Sequence, residues 1–239
     1  VLPDAPIPYR LRVSPRARNV SLRVTVDRGL EVIVPEDFDP VHVPGILDRM
    51  GDWVRRALAR AEANRLRIEP ELPWQLPREI SLLATGAKWE VIANESTGVS
   101  VSIRDVGHRR LSITGALHDE GACRAALGRW LVRRARRDLI PRLDALSEQL
   151  GLRCRRVLVR LQRSRWGSCS SKKVISLNAK LLLLPPALVR SVLIHELCHL
   201  AEMNHSARFW SLVARHDPDS RVHRKSLREA WRSMPPWAR

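Results

Sequence analysis

Cysteine is scarce and scattered. Cys123, Cys154, Cys169 and Cys198 form no C-x-x-C pair, which argues against both a cysteine zinc ribbon and a disulfide framework. A reducing setting, most simply the cytoplasm, is expected. Aromatic residues other than tryptophan are nearly missing: one tyrosine and two phenylalanines accompany eight tryptophans. No run of eighteen or more apolar residues occurs, so no membrane span is expected. The opening VLPDAPIPYR has no basic start followed by an apolar stretch, so no secretory signal is expected either. There is no glycine-rich Walker-type phosphate loop, no internal repeat and no low-complexity segment.

Acidic residues are in deficit, 25 against 42 basic ones, for a net charge of +17. The imbalance is uneven: residues 121–165 hold thirteen arginines against Asp138, Asp144 and Glu148. Such a field attracts polyanions, so nucleic acid or a nucleotide is a candidate partner of the arginine-rich face. The charge lacks the aromatic interleaving of a base-stacking surface, and an arginine-rich composition explains it as well.

What is present has a clear order. NVSLRVTV alternates apolar and polar residues, DRG turns, and LEVIVP returns, which predicts a β-hairpin. Asp39-Pro40 opens a helical pattern through Val43, Ile46, Leu47, Met50, Val54 and Leu58. Pro70, Pro73 and Pro77 suit an extended connector over 68–78. EISLLAT, KWEVIAN, GVSVSIR and RLSIT predict a small antiparallel sheet. From Asp119 one apolar stripe runs from Ala126 to Leu150, with Pro141 placed to kink or divide the helix and Gly151 to stop it. RRVLVRLQ and KVISLNAKLLLL predict two strands around RSRWGSCSS, and Pro185-Pro186 introduces the amphipathic helix ALVRSVLIHELCHLAEMN. The expected class is α+β, with an N-terminal antiparallel β-rich lobe over 1–115 and a second lobe over 116–239.

The segment HELCHLAEMNH, residues 195–205, carries the chemistry. In a helix, positions i and i+4 lie about 40° apart around the axis and ~6 Å apart along it. His195 and His199 can therefore aim two imidazoles at one ion, with Glu196 beside them as a general base for water. A third ligand is needed. His205 is the first choice, because Asn204 tolerates the left-handed conformation that ends helices and could turn the chain back there. Ser206 then caps a helix in which Phe209, Trp210 and Val213 pack inward. Glu202 and the more distant Glu229 compete for the third position; Cys198 is read as a buried flank residue.

RSRWGSCSSKKVISLNAKLLLLPPALVRSVLIHELCHLAEMNHSARFW resembles the YgjP-like metallopeptidase family, whose pattern runs R-W-G-S-C, S-L-N, L-x-P-P, V-x-H-E-L-x-H-L and N-H-S-x-x-F-W. RARNVSLRV and LLATGAKWEV extend the likeness over most of the chain. The resemblance implies a zincin-like catalytic lobe, related to zinc proteases of the SprT and Wss type. It also implies Zn2+ held by His195, His199 and His205, with Glu196 as general base, and a peptide or protein substrate. The chain departs from the family at Ser220 and Ser226, where relatives commonly place aromatics.

In zincins an edge strand beside the active-site helix pairs with substrate backbone. VISLNAKLL is the expected strand, and Arg165, Trp166, Ser168 and Asn178 are the candidate substrate-binding residues. A plainer reading makes Trp166 and Gly167 a buried corner. Cys169 could face the metal as a thiolate. For the oxyanion, Tyr9 is far away in sequence, and His216, His223 and Arg221 are equivalent candidates. Two alternatives stay open: a metal-activated water acting on a nucleotide phosphoanhydride, or a nucleic-acid-binding protein with a structural zinc. The second would want four protein ligands and no free base.

Overall fold

The computed structural model describes residues 7–15, 17–25, 29–66, 74–96, 98 and 100–239. Among the described residues it is α+β, with six helices and three small sheets. The chain divides into two compact units, 1–74 and 75–239, whereas the sequence placed the division at 115/116.

In the first unit, β1 (Tyr9–Val13), β2 (Ser21–Thr25) and β3 (Gly29–Val34) form a sheet in the order β1-β3-β2. The expected hairpin is the antiparallel β2–β3 pair, and β1, not foreseen, adds in parallel to the other side of β3. Asp27 and Arg28 of the expected turn, and Pro70 and Pro73 of the connector, lie outside the described residues. The helical pattern from Val43 to Leu58 is interrupted: α1 (Val43–Arg49) stops at Met50, and α2 (Gly51–Leu66) starts at a glycine. Val43, Leu47 and Val54 still share one core with Leu30, Val32 and Val34.

The second unit begins with β4 (Glu79–Leu82), β5 (Ala87–Glu95), β6 (Ser102–Asp105) and β7 (Arg110–Gly115), in the order β4-β5-β7-β6. This sheet is mixed where an antiparallel one was expected. The β6–β7 hairpin docks through β7, which runs parallel to β5. Its apolar face lies on α3 (Glu120–Leu150), where buried Trp89 meets Trp130 edge-to-face at 5.5 Å and Arg142 donates to the Ala84 carbonyl. That packing is why residues 75–115 belong with the later part of the chain. A connection readable only as a linear sequence of strands could not reveal it.

Helix α3 is capped by the Asp119 carboxylate, which accepts from the Ala122 N–H, and ends at Gly151 in the left-handed conformation. Pro141 does not divide it. The proline is exposed, so the turn it loosens faces water. Next come β8 (Arg156–Arg160), β9 (Gly167–Cys169) and β10 (Val174–Asn178), in the order β8-β10-β9. β10, expected at the edge, is therefore central. The edge strands are β8 and β9, and residues 179–183 form a 3-10 turn instead of extending β10. Helices α4 (Pro186–Cys198), α5 (Ala207–His216) and α6 (Ser220–Ala230) complete the unit. Among the described residues no helix is long and apolar enough to cross a membrane.

Candidate metal centre and active site

The HELCH segment closes α4. Leu188, Val189, Val192, Leu193, Ile194 and Leu197 are all buried, so the helix is covered on nearly every side and is not simply amphipathic. It stops at Cys198, with His199 as the cap, and the chain turns through 200–202. The turn therefore comes earlier than expected, and Asn204 does not adopt a left-handed conformation. The outcome for His205 is the same. Ser206 caps α5 by accepting from the Phe209 N–H, which anchors the returning segment beside α4.

His195, His199 and His205 converge, each offering a ring nitrogen within 4.8 Å of the others. The Nε2 atoms of His195 and His205 are 3.2 Å apart. Two nitrogens on one tetrahedral zinc, each about 2.0–2.1 Å from it, would sit about 3.3–3.4 Å apart, so this spacing matches a shared ion. His199 turns Nδ1 to the Glu202 carbonyl at 3.1 Å, which leaves its Nε2 for the centre. Phe209, fully buried, floors the cluster: its ring stacks on His199 at 4.4 Å and meets His195 and His205 edge-on, each at 4.9 Å. Trp210 stacks on His205, and the Arg224 guanidinium lies 4.0 Å over the Trp210 ring. Burial, then the neighbouring histidines and Arg224, pushes the His195 pKa down to about 3. The ring is thus neutral, as a ligand must be.

Glu196 is only 5% exposed, and among the described residues its Oε2 has no hydrogen-bond partner. Burial pushes its pKa up to about 8, against a smaller opposite pull from the Arg165 guanidinium. The carboxylate fits because position 167 is glycine: a Cβ there would come within 2.6 Å of Oε1 and 2.7 Å of Cγ. Gly167 of the RWGSC motif is thus the residue that seats the glutamate. A glycine inside a strand pattern marks close approach, and that was the available signal.

The other expected site residues fall into different groups. Glu202 contributes its main-chain carbonyl, while its carboxylate pairs with Arg208 at 2.9 Å and does not join the cluster. Glu229 and Cys198 are not in it either. Cys169 lies on β9, and burial, with Glu196 and Cys154 adding to it, pushes its thiol up to about 11, far from a ready thiolate. Ser168 is half-buried on β9 and Arg165 is exposed just before it. Two candidates for substrate contact lie inside the protein. Trp166 is buried, stacks on Trp231 at 4.1 Å and donates its indole N–H to the Leu227 carbonyl. Asn178 is fully buried: its amide donates to the Gln162 and Arg165 carbonyls and its oxygen accepts from the Lys180 N–H. It shapes the 162–165 loop and has no face left for a ligand. The Trp166–Trp231 stack also anchors the end of α6, despite Ser220 and Ser226. His223 holds the buried Asp217 carboxylate at 3.0 Å, and the His216 carbonyl accepts from Arg190.

The model of the YgjP-like metallopeptidase domain matches residues 18–230. The chain belongs to the YgjP-like metallopeptidase family. No curated protein matches it. Among solved structures, the crystal structure of the metallopeptidase zymogen of Pyrococcus abyssi abylysin is similar over 36% of this chain and 93% of its own, at 24% identity and a TM-score of 0.31. Membership in the YgjP-like metallopeptidase family supports a hydrolase, implies a divalent metal that His195, His199 and His205 could hold, and suggests peptides or proteins as the substrate class.

Proposed function

We propose that the protein is a zinc metallopeptidase in which His195, His199 and His205 hold the ion and Glu196 is the general base. One observation carries this: three histidine nitrogens within 4.8 Å of one another, beside a buried carboxylate with an unpartnered oxygen. The donor set fits the metal. Three neutral imidazoles leave the fourth tetrahedral position open, as catalytic zinc sites do, whereas a structural site closes with four protein ligands. Zinc bound there would supply Lewis acidity, polarising a peptide carbonyl and an attacking water.

The chain's own residues do the rest. Glu196 Oε2 accepts a proton from water and returns it to the leaving amine; its raised proton affinity suits both halves of the task. Arg165 tempers that affinity. Glu202 fixes the His199 tautomer through its carbonyl, and Phe209 fixes the tilt of all three rings. β9 is an edge of its sheet and runs against α4, so an extended peptide can add along Gly167–Cys169, with Ser168 and Arg165 beside it.

The test compares wild type with Glu196→Gln and His205→Ala for bound zinc and for casein cleavage. Glu196→Gln should keep zinc and lose cleavage by about 10²-fold or more; His205→Ala should lose both. Cleavage unchanged in Glu196→Gln would sink the mechanism. Hydrolysis of nucleoside triphosphates without casein cleavage would move the reading to phosphoanhydride chemistry.

A further inference from the structure

A second site lies apart from the histidines. Between α3, residues 161–163 and residues 237–239 is a cavity of about 270 Å³, and none of its lining residues belongs to the histidine cluster. Arg124, Arg163, Lys180 and Arg239 line it, and no acidic side chain does. Two of these cations are engaged: Arg124 with Glu120 and the Pro236 carbonyl, Arg239 with the Met234 carbonyl.

Lys180 is different. It is 6% exposed, and among the described residues its ammonium has no hydrogen bond or ion pair, only the Trp231 ring at 5.4 Å. Arg163 stands near enough to repel it, and burial together with that repulsion lowers the lysine pKa. A buried cation beside another, with no acid between them, costs stability until an anion enters. In the same wall Gln162 gives its Nε2 to Ser176. Leu131, Leu161 and Trp237 supply an apolar side. Two cations that have no hydrogen bond or ion pair among the described residues call for a dianion, which favours phosphate over carboxylate. The apolar side calls for a substituent, and the small volume excludes a polynucleotide.

We propose that this cavity binds a small phosphate monoester, with its phosphate on Lys180 and Arg163 and its apolar substituent against Leu131, Leu161 and Trp237. The assignment stands independently of the peptidase reading. Its test is calorimetric titration of the metal-loaded protein with phenyl phosphate, inorganic phosphate and benzoate, repeated on Lys180→Gln and Arg163→Gln and after metal removal. Phenyl phosphate should bind most tightly, at least about tenfold more weakly in either variant, and equally well without metal; casein cleavage should be unchanged in both variants. Arg163 is exposed, so its variant does not depend on how well the core accepts a substitution at Lys180. Several results would overturn the proposal: no binding of phenyl phosphate at millimolar concentration, equal binding by both variants, or loss of binding with the metal, which would place the anion at the histidines. Inorganic phosphate binding as tightly as phenyl phosphate would remove the apolar half and overturn it too.

Discussion

Replacing Glu196 by glutamine removes one ionisable oxygen from a buried site and changes little else, so its effect on stability can be worked out. In the metal-free protein the carboxyl titrates near 8, against an ordinary value of 4.5. Between these values the unfolded chain has released the proton and the native chain still holds it. Native stability therefore falls as pH rises through that window and levels off above about 8. At about 1.4 kcal/mol per pH unit, the full span comes to about 5 kcal/mol, an upper bound for a carboxylate with this burial. Glutamine carries no such penalty. The stability of Glu196→Gln relative to wild type should thus be nearly constant below pH 4.5 and rise progressively towards pH 8. His195, held down to about 3, acts in the opposite sense below its ordinary 6.5, but it is present in both proteins and cancels in the difference. The assay is urea unfolding of both proteins, chelator-treated, at half-unit steps from about pH 5 to 9. A difference that does not change with pH, or that falls towards pH 8, would refute the burial argument. With zinc restored the pH dependence should shrink, because a nearby cation favours the ionised carboxylate.

Three further outcomes follow from the same geometry. Gly167→Ala should keep the metal but lower kcat by about 10²-fold, since its Cβ would displace a carboxylate that has nowhere to go; zinc analysis beside peptidase kinetics checks this. Glu202→Ala should bind zinc within a few-fold of wild type, because its carboxylate is paired with Arg208 and the carbonyl that orients His199 is retained; competition with a chelator of known affinity measures it, and loss of zinc would make Glu202 a ligand. Phe209→Ala should cost about 3–5 kcal/mol in denaturant unfolding through the cavity it leaves, and should weaken zinc binding by loosening all three rings.

Much of the candidate centre is legible in the sequence. The four-residue step from His195 to His199 is a property of the helix itself, and Ser206 capping α5 is a local hydrogen bond. Local rules stopped where partners come from far along the chain. An edge of the sheet falls to β9 and not to β10, because β8 pairs with β10 across an intervening segment. Asn178 looks like a polar surface residue in a linear reading, and Trp166 could be read either as a cleft residue or as a buried corner. Residues 162–165 and α6 bury them.

The contrast is sharpest within the motif that joins the two halves of the site. Helical periodicity alone sets the spacing of His195, Glu196 and His199, since about 3.6 residues per turn requires no partner. That Glu196 is buried, unpaired and raised in proton affinity depends on Gly167, about thirty residues earlier, passing close enough that no side chain fits between them. Desolvation is a property of whatever packs around a group, and only the folded chain brings that packing into being.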